Sequence, residues 1–579
     1  MKPVIAFITY ETPWTPAGGI ASVMKYLPDS IQKLSNIPTV IISPYHKNIL
    51  KDPTLFIKVE SINVQFDNTS IEVGIQKKIS GTDKTDKCEW LFLKPESDIT
   101  FFDGNPHPYL VNEPDDLVRD SLFFGESVVK SLSIVKNSKI IVESTLTIIN
   151  NDPEVYWYLL MQDYEAVTTA FYFVRQGDHH GRLYLTLHNS YDKYTKQQIL
   201  NIFNIFSPAK DEESTILNRA ISLVESPIIT VSDQFALDLN NDIFQNKIMA
   251  PHLQKLLEQK KIIGINNGPF AKIDVELERY LEEARKGNFN ELHKWKEGKK
   301  KVALDLLEKI KRDNAGPVWG NVEIFGRKDS PWFIMSGRDD PNQKGYDLAE
   351  LAIRRFFENN GDVDPRPKFL FFPVPGDEGL EGLRFLENLT SEFPEDVIVV
   401  PFIWKDGYFT CLLGSSFGLM PSLYEPFGSA NEFYLRGCLG IGRATGGLLE
   451  QIVPYRSARS FSHAVMERSK RYYSFADKPT GILFREKDNI ITAVEDWHKI
   501  NKANYTERGI TRVEERQHIP LVKEMIKEFC YAIEDGINIY NSPDLYYKML
   551  IDGIEYITNS FSWKRTAQEY IRYLHNIGV

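Results

Sequence analysis

Short apolar runs rich in Val, Ile and Phe recur along the chain, and helically spaced segments alternate with them. The first run, PVIAFITY at 3–10, is followed by a turn and then by apolar residues at helix-face intervals from Ile20 to Leu34. Continuous apolar runs of this kind suit strands buried on both faces, and their alternation with helices indicates parallel sheets. The later strand-like runs are KIIVES at 139–144, LYLTLH at 183–188, PIITV at 227–231, WFIMSG at 332–337, KFLFFPV at 368–374, VIVVPF at 397–402 and FGLMPS at 417–422.

The pattern predicts two α/β halves, each a doubly wound, Rossmann-like domain, that face each other across a cleft. A charged stretch from about Leu277 to Arg312 separates them and is expected to be a solvated helical linker. The expected bounds are an N-terminal domain at 1–275 with a β-rich insertion at about 46–115, a linker at 276–325, a C-terminal domain at 326–555 and a last helix at 556–579. Ligands of open parallel sheets bind beyond the carboxyl ends of the strands, so the residues there are the functional candidates.

Length and charge limit the possible partners. The chain has 579 residues and a net charge of -11, which fits two or more domains and argues against a protein that mainly holds nucleic-acid backbones. Since no run of about 18 apolar residues occurs, no membrane span is expected. The four scattered cysteines form no pair or ligand cluster, which predicts a cytoplasmic protein without a zinc site or disulfide framework. An oligomer is possible, but the sequence does not define its size.

Three strand ends in the first half carry candidate groups. The pair Gly18-Gly19 stands where a strand turns into a helix, so its N–H groups suit a phosphate, although most such pairs only form a tight turn. His188 ends the LYLTLH run and suits donation to a sugar hydroxyl, with a structural histidine as the alternative. Asp163, in MQDYEAV, is a ligand candidate or a helix cap.

The second half carries two richer loops. Arg338 and Lys344 lie in SGRDDPNQKGYDL, and two cations in one loop suit a diphosphate leaving group, with an exposed ion-pair cluster as the alternative. In the second loop, Glu425 directly precedes Pro-Phe-Gly at a strand-to-helix turn, next to the helix start at Gly428 and Ser429. A second Gly pair follows Thr445. A carboxylate for hydroxyls beside backbone donors for phosphate is what a nucleotide sugar requires.

These segments resemble the glycogen/starch synthase family of retaining glycosyltransferases, which have the GT-B fold. PSLYEPFGS at 421–429 looks like the family's PSRFEPCGL segment, and ATGGL at 444–448 looks like its RTGGL segment. The other similar segments are GG at 18–19, QDYE at 162–165, TLHN at 186–189, TVSDQFA at 230–236, GINNG at 264–268, QKGYDL at 343–348 and FSW at 561–563.

The resemblance implies a hexosyltransferase, most simply one that moves glucose from a nucleoside-diphosphate sugar such as ADP-glucose or UDP-glucose to a glucan. It implies Arg338, Lys344, Glu425 and His188 as the catalytic group, with no metal ion or other cofactor. The implied substrate-binding residues are Gly18, Gly19, Asp163, Asn189, Asn267, Phe427, Gly428, Ser429, Thr445, Gly446 and Gly447. The implied partners are the nucleotide sugar and the saccharide acceptor, with no nucleic acid and no membrane.

Several positions depart from the family pattern. Pro16-Ala17 replaces the family's Lys-Thr before the first Gly pair, and one extra residue separates Arg338 from Lys344. Three alternatives therefore stay open: an impaired relative that binds glucan or protein, a transferase with a small non-glucan acceptor, and an epimerase of GT-B fold.

Overall fold

The computed structural model describes residues 2–574 except 48, 50–54, 68, 80–87, 106–107, 110, 112, 138–154, 178–179, 197–198, 201–212, 327–329, 377, 488–492 and 504–508. The predicted strand at 139–144 lies outside the described residues. Within the described part of the chain, no helix is long and apolar enough to cross a bilayer.

The chain forms two compact units. The first consists of Met1–Asn240, Met249–Gly268 and Ser562–Val579, and the second of Asn241–Ile248 and Pro269–Phe561. The chain thus leaves the first unit after Gly268, forms most of the second unit and re-enters the first at Ser562. The hydrophobic pattern does not predict that residues Asn241–Ile248 belong to the second unit.

The strands match most of the predicted runs. Their bounds are β1 Lys2–Ile8, β2 Thr39–Pro44, β3 Phe56–Phe66, β4 Thr69–Lys78, β5 Glu89–Pro95, β6 Val155–Gln162, β7 His180–Leu187, β8 Tyr194–Lys196, β9 Glu213–Thr215, β10 Ile228–Thr230, β11 Ile262–Gly264, β12 Trp332–Arg338, β13 Lys368–Val374, β14 Val397–Val399, β15 Phe417–Met420, β16 Leu439–Arg443 and β17 Ile482–Phe484.

The α-helices connect these strands and cover the sheets. Their bounds are α1 Gly19–Ser35, α2 Pro114–Asn137, α3 Asp163–Val167, α4 Thr169–Gln176, α5 Ile216–Ala220, α6 Asp233–Asn241, α7 Gln254–Lys260, α8 Val275–Arg285, α9 Asn290–Arg312, α10 Val322–Phe325, α11 Tyr346–Asn359, α12 Arg384–Glu392, α13 Lys405–Gly414, α14 Ala430–Leu435, α15 Gly446–Gln451, α16 His463–Ser469, α17 Ala493–Ala503, α18 Gly509–Arg516, α19 Pro520–Tyr540, α20 Pro543–Ser560 and α21 Trp563–Tyr573.

The first unit contains a nine-stranded sheet in the order β11-β10-β7-β6-β1-β2-β5-β4-β3. Strand β1 lies near its centre, fully buried from Val4 to Ile8, as its unbroken apolar run predicts. β6 (VYWYLLMQ) pairs in parallel with β1 and β7 and was missed by the pattern reading. The predicted β-rich region supplies β3, β4 and β5, but these strands extend the main sheet, with β3 and β4 running antiparallel at its edge.

The second unit contains a six-stranded parallel sheet in the order β14-β13-β12-β15-β16-β17. Because β12 and β15 are neighbours and parallel, their carboxyl ends meet at the same edge of the sheet. The loops that carry Arg338 and Glu425 start from this edge.

The charged stretch between the halves is helical, but it is packed rather than solvated. Helix α9 buries Leu292, Ala303 and Leu307, and its Lys296 is only 3% exposed. The Lys296 ammonium donates to the carbonyl oxygens of Leu413, Ser415 and Gly437 at 2.6–3.1 Å. These contacts tie the helix into the second unit, and burial lowers the Lys296 pKa to about 8. The many charged residues of this stretch favoured a solvated helix, so the sequence did not predict its buried face.

Candidate functional site

In the second unit, Glu425 lies at the centre of a group of donors. Its carboxylate is 6% exposed and accepts from Lys344 Nζ at 2.8 Å and from Ser422 Oγ at 3.0 Å, both at Oε2. Gln343 Nε2 donates to Oε1 at 3.2 Å. A carboxylate offers about four acceptor positions, and these donors fill three of them. Lys344 and Glu425 thus lie together as the sequence reading requires, while Gln343 and Ser422 were not singled out by it.

Two glycines shape the loop that carries Lys344. Gly337 and Gly345 have φ values of +133° and +72°, which side-chain-bearing residues rarely adopt. A Cβ on Gly345 would lie 2.5 Å from the Pro421 carbonyl oxygen, so the loop presses against the end of β15. The backbone of Gly337 lies alongside the Lys344 side chain, since a Cβ there would be 3.4 Å from Lys344 Cε. Arg338 follows Gly337 directly, at the end of β12, and is half-buried.

The turn at Thr445–Gly447 also packs against Glu425. The N–H of Gly447 donates to the Glu425 carbonyl oxygen at 3.1 Å. Gly446 has φ +45°, and a Cβ on it would lie only 1.7 Å from that oxygen. Thr445, which caps α15 and is 1% exposed, completes this turn. The EPFG segment at 425–428 and the TGG segment at 445–447 therefore pack directly against each other.

The remaining candidates of this unit divide into backbone and packing roles. Gly428 has φ +90° and precedes Ser429, the N-cap residue of α14. The ring of Phe427 is 4% exposed and packs edge-on against Phe270 and Phe561, so it belongs to the core. Its carbonyl oxygen accepts from Gln451 Nε2 at 2.6 Å.

In the first unit, His188 is held by Gln162. Its Nε2 lies 2.8 Å from Gln162 Oε1, and Gln162 Nε2 donates to the Leu160 carbonyl oxygen at 2.9 Å. That second bond fixes Oε1 as the acceptor, so His188 Nε2 carries the hydrogen and Nδ1 is the acceptor nitrogen. Burial lowers the His188 pKa to about 3, which keeps the ring neutral. The expected donation to a sugar hydroxyl therefore does not fit this state, because the N–H is already used.

Asp163 positions the turn after β7. It has φ +58°, a strained value for a residue with a side chain. Its oxygens accept from the backbone N–H of His188 at 2.6 Å and from Asn189 Nδ2 at 2.9 Å, and Asn189 Oδ1 accepts from the N–H of Tyr191. Burial raises the Asp163 pKa to about 8, and the N–H donors act against this rise. Asp163 thus hydrogen-bonds both the backbone of His188 and the side chain of Asn189.

A carboxylate of the same chain, Glu11, binds the backbone beside the glycine pair that follows β1. Glu11 Oε2 accepts from the backbone N–H groups of Ala17 at 3.1 Å and Gly18 at 2.6 Å, and Tyr109 donates to Oε1 at 2.8 Å. Burial raises the Glu11 pKa, and these hydrogen bonds oppose the rise. The Gly18 N–H expected for a phosphate is therefore occupied by a carboxylate that the sequence reading did not single out. Gly19 begins α1, and a Cβ there would meet nothing within 4 Å.

Asn267 and two aromatic residues near the Arg338 strand, Trp404 and Tyr408, complete the comparison with the sequence. Asn267 is 2% exposed, and within the described residues its Oδ1 has no hydrogen-bond partner. Tyr408 accepts a hydrogen bond from Ser336 Oγ at 2.8 Å, and Trp404 covers Gly407, so both have structural contacts.

Comparison with known proteins shows what this chain is similar to. The model of the starch synthase catalytic domain matches residues 4–255. The glycogen synthase of Kosmotoga olearia is 23% identical over 561 residues, which cover 93% of this chain and 100% of that protein. The glycogen synthase of Thermosipho melanesiensis is 24% identical over 589 residues, with 98% of each chain covered.

Among solved structures, the catalytic domain of starch synthase IV from Arabidopsis thaliana has a similar fold. It aligns with a TM-score of 0.57 at 14% identity and covers 96% of this chain and 99% of its own. At this identity the likeness establishes the fold, and the predicted GT-B architecture is confirmed.

Proposed function

We propose that the chain is a glycogen/starch synthase-like glycosyltransferase that moves a glucosyl unit from a nucleoside-diphosphate sugar to a glucan with retention of configuration. The single observation that carries this proposal is the ion pair between Lys344 and Glu425, bounded by the Gly337–Gly345 loop and the Thr445–Gly447 turn. The relative from Arabidopsis thaliana was solved with ADP and acarbose, a nucleotide and a saccharide, which agrees with the proposed substrate classes.

Lys344 and Arg338 supply the positive charge for the leaving group. An ammonium has three donors, and one of them engages Glu425, so two remain for phosphate oxygens. Donors that are preorganised around developing charge stabilise a departing diphosphate without a metal ion. We therefore propose that no metal takes part.

Glu425 acts as a ligand for sugar hydroxyls and not as a nucleophile. Three donors already hold its carboxylate, and the Lys344 ammonium balances its charge, which lowers its tendency to attack an anomeric carbon. The acceptor position left over suits one hydroxyl. Retention then follows from attack on the face of the leaving group, with a donor phosphate oxygen taking the proton of the acceptor.

In the first unit, the neutral and hydrogen-bonded His188 is the residue proposed to contact the sugar. Because His188 gives its N–H to Gln162, its contact with a sugar is through Nδ1, which accepts from a hydroxyl. Asn267 offers an amide oxygen as a second acceptor. Asp163 and Asn189 hold the turn rather than the substrate.

A second candidate, an impaired relative that binds glucan, is favoured by one observation. The family's cation before the Gly pair is replaced by Pro16, and Glu11 occupies two amides of that loop. Such a protein binds saccharide but does not turn over a donor.

Transfer assays separate the two candidates. Purified protein is incubated with glycogen and with ADP-, UDP- or GDP-glucose, and the released diphosphate and extended glucan are measured. Retention is checked by NMR on the anomeric configuration of the new bond. Turnover that is lost in Lys344→Met supports the enzyme. Glycogen binding without turnover for any donor supports the impaired relative and overturns the proposal.

A further inference from the structure

Helix α18 lies behind the loop that carries Arg338 and Lys344. Two arginines on one face of this helix, Arg512 and Arg516, are four residues apart and 1% and 0% exposed. Neither residue belongs to a motif that the sequence reading identified, and fully buried arginines require specific partners. Three of their partners, Asp339, Pro341 and Asp347, lie on the segment that carries Arg338 and Lys344.

Arg516 binds the loop at two points. Its NH1 donates to Asp347 Oδ2 at 2.7 Å, in the first turn of α11, directly after Lys344-Gly345. Its NH2 donates to the Pro341 carbonyl oxygen at 2.9 Å, in the middle of the loop, and to the Ile500 carbonyl oxygen at 3.1 Å. One guanidinium therefore joins the middle of the loop, its end and helix α17.

Arg512 binds the beginning of the loop. Its NH2 lies 3.3 Å and 3.4 Å from the two carboxylate oxygens of Asp339, the residue that follows Arg338. The same guanidinium donates to Glu378 Oε2 and to the Gly382 carbonyl oxygen at 3.3 Å. Helix α18 approaches closely there, since a Cβ on Gly509 would lie 2.0 Å from that carbonyl oxygen.

We propose that Arg512 and Arg516 are positioning residues that hold the segment from Arg338 to Asp347 in the form that presents Arg338 and Lys344 to the donor diphosphate. The inference rests on the proposed function for its catalytic consequence. The geometry suits arginine, because the N–H groups of a planar guanidinium point in fixed directions towards separate acceptors, whereas a lysine ammonium carries its charge at one point. It also accounts for Asp339, which pairs with Arg512 and is 5% exposed, so it is not part of an exposed ion-pair cluster.

The test uses Arg512→Lys and Arg516→Lys with a matched control, Arg366→Lys. Arg366 also pairs with a buried aspartate of the second unit, Asp396, at 2.7 Å, but it contacts Gly361 rather than the loop. Hydrogen exchange of the ligand-free protein measures the loop directly. The amides of Gln343 and Lys344, which donate to the Asp340 carbonyl oxygen, are expected to exchange at least tenfold faster in both loop variants and to stay unchanged in the control.

Steady-state kinetics then measure the consequence. We expect kcat to fall at least tenfold in both loop variants, with the KM for the glucan within twofold and the control within twofold of the parent. If a loop variant does not fold, the double variant Arg516→Met/Asp347→Asn removes the pair without leaving a buried charge, and it is measured instead. Unchanged exchange at the loop overturns the inference whether or not transfer occurs. Faster exchange with an unchanged kcat overturns the positioning role, and a parent protein without turnover overturns the proposed function alone.

Discussion

Replacing Gly446 by alanine tests the packing of the two glycine-containing motifs. The added Cβ would lie 1.7 Å from the Glu425 carbonyl oxygen, whereas contacts below 3.0 Å are essentially never seen, so the two backbones must separate by at least about 1.3 Å. Neither atom is the end of a flexible side chain, so the movement shifts the turn itself. The φ of +45° adds a conformational cost of about 1–2 kcal/mol for any residue with a Cβ.

The displacement also breaks the hydrogen bond from Gly447 to Glu425 and moves the carboxylate relative to Lys344. Since a misplacement of about 1 Å commonly costs about 100-fold in rate, we expect kcat to fall about 100-fold. The assay is glucosyl transfer to glycogen, with thermal melting to confirm that the variant is folded. The control is Gly298→Ala in helix α9, where a Cβ meets nothing within 4 Å, and it is expected to keep full activity. A folded Gly446→Ala protein that retains more than a third of the parent kcat would refute the reasoning.

Three further predictions follow from the site. Burial lowers the His188 pKa from 6.5 to about 3. Between pH 6.5 and about 3, His188 therefore binds a proton in the unfolded chain but not in the folded chain. The free energy of unfolding therefore falls as the pH drops from about 6.5 towards 3, by at most about 5 kcal/mol from this group, and urea titrations of His188→Asn should show a flatter profile than the parent. Glu11→Gln places an NH2 group against hydrogen-bond donors already present, so urea unfolding should show a loss of about 1–3 kcal/mol; equal stability would contradict the observed contacts. Dialysis against EDTA should leave the transfer rate unchanged, and a loss that Mg²⁺ restores would contradict the proposed metal-free mechanism.

The hydrophobic pattern predicted the strands well where the apolar runs were long and buried on both faces. β1, β12 and β13 are examples, and they place the following loops at the sheet edge as expected. β6 was missed although its run is equally apolar. Helix α9 was misjudged because its buried lysines are satisfied by carbonyl oxygens, which no charge pattern reveals.

The candidate site shows the same division. The sequence identified Lys344, Glu425 and His188 from motifs that are short and local. It did not identify Gln343, Gln162 or Glu11, because their roles depend on which atoms meet after folding.

Local sequence alone determined where strands end, where glycines permit unusual turns, and which charged side chains follow them, since these properties depend on neighbours a few residues away. Tertiary structure alone decided the hydrogen-bond partners. Gln343 meets Glu425 across 82 positions, and Arg516 meets Asp347 across 169. Such pairs form only when parallel strands and their helices pack, and that packing fixes the protonation of His188, the neutralisation of Glu425 and the hold on the loop of Lys344.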